Sequence, residues 1–160
     1  MTWLLEKMPP DTDSPGLIHN DYKFDNVVLD PADPLKIIGV LDWEMATLGD
    51  PLMDLGGTLA YWVEAGDPEE MELIRSVPTN ADGALTRREV VVLYENLSGR
   101  PMRHYDFYYC FGLFKLAGIV QQIYYRSYHG QTQDERFKVL GEVTAILERA
   151  AMRVIDKSKL

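Results

Sequence analysis

Two β-branched apolar runs, Val27–Leu29 and Leu35–Leu41, flank the connection Asp30-Pro31-Ala32-Asp33-Pro34 and leave this chain few ways to begin its fold. Apolar runs around a Pro/Asp-rich turn read as a β-hairpin. The connection is longer than a two-residue turn, so the strands are expected to register around a centre near residue 34. Upstream, Leu17–Ile18 forms a short apolar run that leads into His19-Asn20-Asp21. The segment HNDYKFDN, residues 19–26, therefore lies between short strands, and Asp42 closes the second arm of the hairpin. Asp42 stands sixteen residues after Asn26, with residue 34 midway. A symmetric hairpin would oppose Asn26 and Asp42 at its open end, their Cα atoms about 4.5–5.5 Å apart. Asp21 would lie beside them, so three oxygen-bearing side chains converge. Carboxylate and amide oxygens suit Mg²⁺, which is usually held by one or two carboxylates with phosphates and waters. The same residues also fit a polar turn cluster, because Asp and Asn near strand ends often satisfy only the local backbone.

Beyond Asp42 the chain turns helical. Asp50 as N-cap and Pro51 at the first helical position start a helix expected to reach about Ala65, where Gly66-Asp67-Pro68 stops it. Glu69–Arg75 reads as a short helix and residues 76–85 as a loop. Thr86 and Glu89 have capping-box spacing at the head of a helix to about Leu97, ended by Ser98-Gly99-Arg100-Pro101. A long helix follows over His104–Ser127, and a last one over about Asp134–Ile155, with Phe137, Leu140 and Leu147 on one face. Strands gathered at one end and helices at the other define an α+β, mostly helical fold. The stretch Tyr105–Tyr125 is rich in apolar residues, but Asp106, Lys115, Gln121 and Gln122 interrupt it. It reads as a fully buried helix rather than a membrane span.

HNDYKFDN matches the protein-kinase catalytic loop H-R-D-x-x-x-x-N at His19, Asp21 and Asn26. The wider pattern, with VLDWE at 40–44 and GDPLMDLG at 49–56, resembles the aminoglycoside phosphotransferase and choline kinase family. That family runs H-G-D-x-x-x-x-N, a hairpin, I-D-W-E and G-D-P-x-x-D-L-A. Most similar are the phosphotransferase domains related to those fused to acyl-CoA dehydrogenases. The resemblance implies a kinase-like fold and transfer of phosphate from ATP, with Mg²⁺, to a hydroxyl of a small molecule. It makes Asp21 the catalytic base and gives Asn26 and Asp42 to the metal that grips ATP. Lys23 falls where many protein kinases place a lysine near the transferred phosphate, although an ordinary solvated lysine also fits. His19 and Asp54 become structural supports of the loop. Asn20 stands where the family has glycine, and Asn tolerates the left-handed conformation better than most residues. No G-x-G-x-x-G loop occurs in the chain. The expectation is therefore a C-terminal lobe over 17–160, with the catalytic loop and metal hairpin at 17–45 and helices at 50–156. Residues 1–16 would end a preceding helix and link it, and the N-terminal ATP-binding lobe would be absent.

Glu44 could brace the loop or reach a second metal. Tyr61, Trp62 and the aromatic residues of 105–128 could line an acceptor pocket, but large aromatics on helices are usually core. With three histidines and one cysteine in the chain, no zinc site or intrachain disulfide is expected, and the lone Cys110 fits a reducing, cytoplasmic compartment. A formal charge of −9 repels phosphate backbones and anionic lipid, so neither nucleic acid nor membrane is an expected partner. A C-lobe lacking its partner lobe is expected to self-associate through the uncovered face. Two other functions are compatible with these residues: an inactive binding or scaffold module, and a metal-dependent hydrolase built on His19, Asp21 and Asp42.

Overall fold

Two small antiparallel ladders occupy the first third of the molecule and rest on a helical base. A computed structural model describes residues 2–160. A one-turn helix α1 (Thr2–Glu6) ends before Pro9-Pro10. Strand β1 (Gly16–Ile18) follows, then the hairpin β2 (Val27–Asp30) and β3 (Asp33–Val40), then β4 (Thr47–Gly49). The helices are α2 (Pro51–Ala60), α3 (Arg87–Ser98), α4 (Tyr105–Tyr128) and α5 (Leu140–Lys157). The architecture is the expected α+β one, a mostly helical lobe carrying a small hairpin.

The hairpin forms, but its register differs from the symmetric one. Asp30 pairs with Asp33 across Pro31-Ala32, and Ala32 N–H donates to Asp30 Oδ1 at 2.9 Å. The turn is thus tight, as an aspartate that caps its own turn allows. Leu29 then pairs with Ile37, Val28 with Gly39 and Val27 with Val40. The extra residues of β3, 34–36 and 38, are taken up as irregularities in the ladder. Pro34 sits among them, where its missing N–H breaks no regular rung. At the open end Leu41 N–H donates to the Asn26 carbonyl at 2.8 Å. Asn26 therefore opposes Leu41, and Asp42 lies one residue beyond.

Strand β4 pairs with β1, Leu48 opposite Leu17. Thr47-Leu48-Gly49 reads in the sequence as the lead into a helix, and its three residues carry no alternation that would mark a strand. Helix α2 starts on its expected cap, Leu52 N–H donating to Asp50 Oδ1 at 2.9 Å. It ends five residues short of Ala65. Its end is wound tight, Tyr61 N–H donating to the Thr58 carbonyl at 3.2 Å and Trp62 N–H to the Leu59 carbonyl at 3.1 Å, and the Glu64 N–H, which a longer helix would give to the Ala60 carbonyl, goes to the Asp67 carboxylate at 2.9 Å. The Thr86/Glu89 capping box is present, and Gly99 closes α3 in the left-handed region at φ 70°. Helix α5 begins only at Leu140, after a 3-10 turn over Glu135–Val139 capped by Asp134.

The core lies between α2, α4 and α5, where Leu59, Leu113, Ile146 and Leu147 are fully buried. Helix α4 is buried on one side only: Phe107–Cys110, Leu113 and Leu116 are inside, whereas Phe114 and Tyr125 are exposed. Among the described residues no helix is long and apolar enough to cross a membrane. Helices α2 and α4 meet through glycine. A Cβ on Gly112 would stand 2.3 Å from the Gly56 carbonyl oxygen, and one on Gly56 would stand 2.4 Å from the Tyr108 carbonyl oxygen. Neither neighbour is a flexible side-chain tip, so the helices must separate to admit a methyl group. Gly112→Ala is therefore expected to lower stability by about 1–3 kcal/mol despite alanine's better helix propensity. A urea midpoint equal to or above that of the parent would contradict this packing.

Candidate active site

The loop between β1 and β2 is held from below by one carboxylate. Asp54, in the first turn of α2, accepts the backbone N–H of His19 with Oδ2 and that of Asn20 with Oδ1, each at 2.6 Å. Asn20 adopts the left-handed conformation at φ 67°, as its place in the motif requires, and its side-chain amide donates to the Met45 carbonyl at 3.0 Å. His19 is buried at 3% exposure. Its Nδ1 accepts the Asp21 N–H at 3.2 Å, so Nε2 carries the hydrogen and donates to the Leu41 carbonyl at 2.7 Å. Both ring nitrogens are thereby spent inside the loop, leaving no lone pair for a metal. A hydrolase centre on His19, Asp21 and Asp42 has no support in this arrangement. Among the described residues no group of three or more His, Cys, Asp or Glu side chains is placed to hold a metal ion.

Asp21 is fixed at both carboxylate oxygens. The Asn26 amide donates to its Oδ2 at 3.0 Å and to its backbone carbonyl at 2.8 Å. The Lys23 ammonium lies 2.9 Å from the same Oδ2. The Tyr61 hydroxyl donates to Oδ1 at 3.3 Å. Burial, and then the neighbouring Asp21 charge, push the Tyr61 phenol well above its ordinary range, so it stays a donor. Lys23 also lies over the Tyr61 ring, 5.1 Å from its centroid. The Thr58 hydroxyl, one turn beyond Asp54, reaches the Tyr22 carbonyl at 2.7 Å. Asp42 takes the left-handed conformation at φ 66°, and the Trp43 ring beyond it packs against His19 with centroids 4.7 Å apart.

The structure thus gathers Asp21, Lys23 and Asn26 into direct contact, sets Asp42 next to the partner of Asn26, and places His19 and Asp54 beneath. Two residues here escape the motif. Tyr61 reads in the sequence only as a pocket or core aromatic. Lys115, on α4, donates to the Asn20 carbonyl. The signal for it is a single one: Lys115 is the only charged residue between Asp106 and Arg126.

A left-handed loop pinned by a helix aspartate, followed by a hairpin that returns an aspartate to the same end, is the arrangement of the C-terminal lobe in kinase-like phosphotransferases. The comparisons agree. The chain belongs to the phosphotransferase enzyme family, whose model matches residues 1–85. A crystal structure of a Ralstonia eutropha protein assigned as an aminoglycoside phosphotransferase superposes with a TM-score of 0.81 at 29% identity, over 99% of this chain and 48% of that one. Mouse acyl-CoA dehydrogenase family member 11 is 33% identical over 141 residues, 84% of this chain and 17% of that protein. Mouse acyl-CoA dehydrogenase family member 10 is 31% identical over 137 residues, 84% of this chain and 13% of that protein. The chain therefore spans less than a fifth of these relatives and about half of the solved structure.

Proposed function

We propose that this lobe serves an ATP- and Mg²⁺-dependent phosphotransferase that phosphorylates a hydroxyl group of a small molecule. The observation that carries the proposal is the fixed Asp21 carboxylate, held by Asn26, Lys23 and Tyr61 on a loop clamped by Asp54. Family membership supports the reaction class. The residues present fit a magnesium ion. The Asn26 amide spends both hydrogens on Asp21, and among the described residues no hydrogen bond engages its Oδ1 or the Asp42 carboxylate. One amide and one carboxylate, with phosphates and waters, is a normal Mg²⁺ set, so Asn26 and Asp42 would hold it. When bound there, Mg²⁺ supplies charge neutralisation at the ATP phosphate oxygens.

The chain's own residues do the rest. Asp21 accepts a hydrogen bond from the acceptor hydroxyl, aims its oxygen, and takes its proton as the new phosphorus–oxygen bond forms and the bond to ADP breaks. Lys23 and Tyr61 stop that carboxylate from rotating, which is what positioning requires. Lys23 also brings a cation beside the place where phosphoryl charge gathers. His19 and Asp54 hold the backbone on which Asp21 turns.

The test is turnover of ATP against a panel of hydroxyl acceptors by the intact protein, with Mg²⁺ titrated. Turnover should require both ATP and Mg²⁺. Asp42→Asn should raise the Mg²⁺ concentration for half-maximal rate by at least about 10–100-fold, since even outer-shell changes reach that size. Phosphate release that ignores ATP, or an unchanged Mg²⁺ requirement in the variant, would overturn this reading.

A further inference from the structure

Lys115 sits on α4 three residues beyond Gly112, where α4 approaches α2 closely enough to exclude a Cβ. That approach brings its ammonium onto the carbonyl oxygen of Asn20, with Asn20 Oδ1 at 3.4 Å. The Asn20 carbonyl and the Asp21 N–H belong to one peptide unit. Its N–H is held by His19 Nδ1 at 3.2 Å. Lys115 grips the opposite edge of the same plane, so the peptide is fixed at both ends. We propose that Lys115 is a positioning residue that locks the Asn20–Asp21 peptide and thereby aims the Asp21 carboxylate.

Stability alone does not call for a lysine here. Burial lowers the Lys115 pKa from its usual value, opposed by the charges of Asp21 and Asp54. A methionine is as good a helix former and would fill the same place beside the cavity that Leu116 and Ile119 also line, without desolvating a charge. What a methionine lacks is a donor for the Asn20 carbonyl. Lys115 and Asp21 also line a common cavity of about 10 Å³, room for a single water, with Tyr22, Asp54 and Tyr61. These are the titratable groups that face the ammonium, Tyr22 and Asp21 from the loop and Asp54 and Tyr61 from α2 and its end. Tyr61 stays protonated because burial and Asp21 raise its pKa.

The effect on turnover rests on the phosphotransferase reading; the lock on the loop does not. Two readouts on the intact protein separate them, using Lys115→Met and Lys115→Arg. The first is amide hydrogen exchange without substrate. In Lys115→Met, exchange at His19, Asn20 and Asp21 should speed up by at least about tenfold while the core amides of Leu59 and Leu113 keep their protection. Lys115→Arg, which keeps a donor, should stay near the parent. The second is steady-state phosphoryl transfer. Lys115→Met should lose about 10–100-fold in kcat with little change in KM for ATP, the mark of a misaimed group. The parent's rate should fall on the alkaline side before the ordinary lysine range, and Lys115→Arg should lack that limb. Unchanged exchange at residues 19–21 in Lys115→Met overturns the proposal. So does a loss confined to KM. Faster loop exchange in a protein whose parent shows no phosphoryl transfer supports the lock and overturns only the reaction assigned to it.

Discussion

Asp21→Asn in the intact protein is expected to reduce ATP-dependent phosphoryl transfer by about 10²–10⁴-fold, the usual weight of a general base, while leaving the fold in place. The contrast follows from the contacts. Asparagine is nearly isosteric with aspartate. Its oxygen can stay toward the Asn26 amide and Lys23, which sit at Asp21 Oδ2. Its NH₂ then faces the Tyr61 oxygen at the Oδ1 side, and a hydroxyl can turn from donor to acceptor. No polar atom is stranded. The Lys23 pair loses its charge attraction, but both side chains are partly exposed, at 24% and 18%, and such pairs are worth about 0–1 kcal/mol. What disappears is the group able to receive the hydroxyl proton. A second signature is independent of turnover. The Asp21 charge is one of the causes that raise the Tyr61 phenol, after burial. Removing the charge should lower the alkaline titration midpoint of that tyrosine, read by phenolate absorbance. Full turnover in Asp21→Asn would take Asp21 out of the reaction, and an unmoved Tyr61 titration would contradict their contact.

The loop and its hairpin were legible in the sequence because their signals are local. His19-Asn20-Asp21 and Asn26 lie within eight residues, and the two apolar arms flank a turn rich in proline and aspartate. Asp50-Pro51 and Thr86/Glu89 were legible for the same reason: each cap is made by residues a turn apart. The register at Asn26 was not. It depends on whether the turn closes at Pro31-Ala32 or nearer Pro34, and on where β3 absorbs its surplus residues, which a count of spacings cannot decide. Strand β4 exists only because β1 lies alongside it, thirty residues earlier. The early end of α2 goes with the Asp67 carboxylate, which takes the Glu64 N–H that a longer helix would use and is itself held at 2.6 Å by Arg87, 20 residues further along. Lys115 is the extreme case: its contact with Asn20 spans 95 residues and depends on two glycines that let α2 and α4 touch. Periodicity places Lys115 on a helix but says nothing of what that helix crosses.

The same separation of local from distant explains why Asp54, rather than any loop residue, should be the most damaging position for the fold of the site. Asp54→Ala removes the acceptor of two backbone N–H groups at once, both at 2.6 Å and one of them on the buried His19. Stranding a buried donor costs about 1–3 kcal/mol. Water can reach the less buried Asn20, so the combined loss is expected near 2–4 kcal/mol. At a urea slope of about 2 kcal/mol per molar, the midpoint should fall by about 1–2 M. Asp54→Asn should be little better. An amide has one oxygen where the carboxylate uses two, so if it accepts from His19 its NH₂ is turned against the Asn20 N–H. The negative charge near the start of α2, favourable for a helix N-terminus, is lost in both variants. Activity should fall with stability but not in proportion. Asn20 must keep its left-handed turn for Asp21 to meet Asn26, and without Asp54 only Lys115 and the Met45 carbonyl, among the described residues, still hold Asn20 directly. Phosphoryl transfer measured well below the unfolding transition should therefore drop at least about 100-fold, as a misplacement near 1 Å would produce. A variant with parental turnover under those conditions would show that the loop keeps its shape without the clamp, and that Asp54 serves only the helix it sits on.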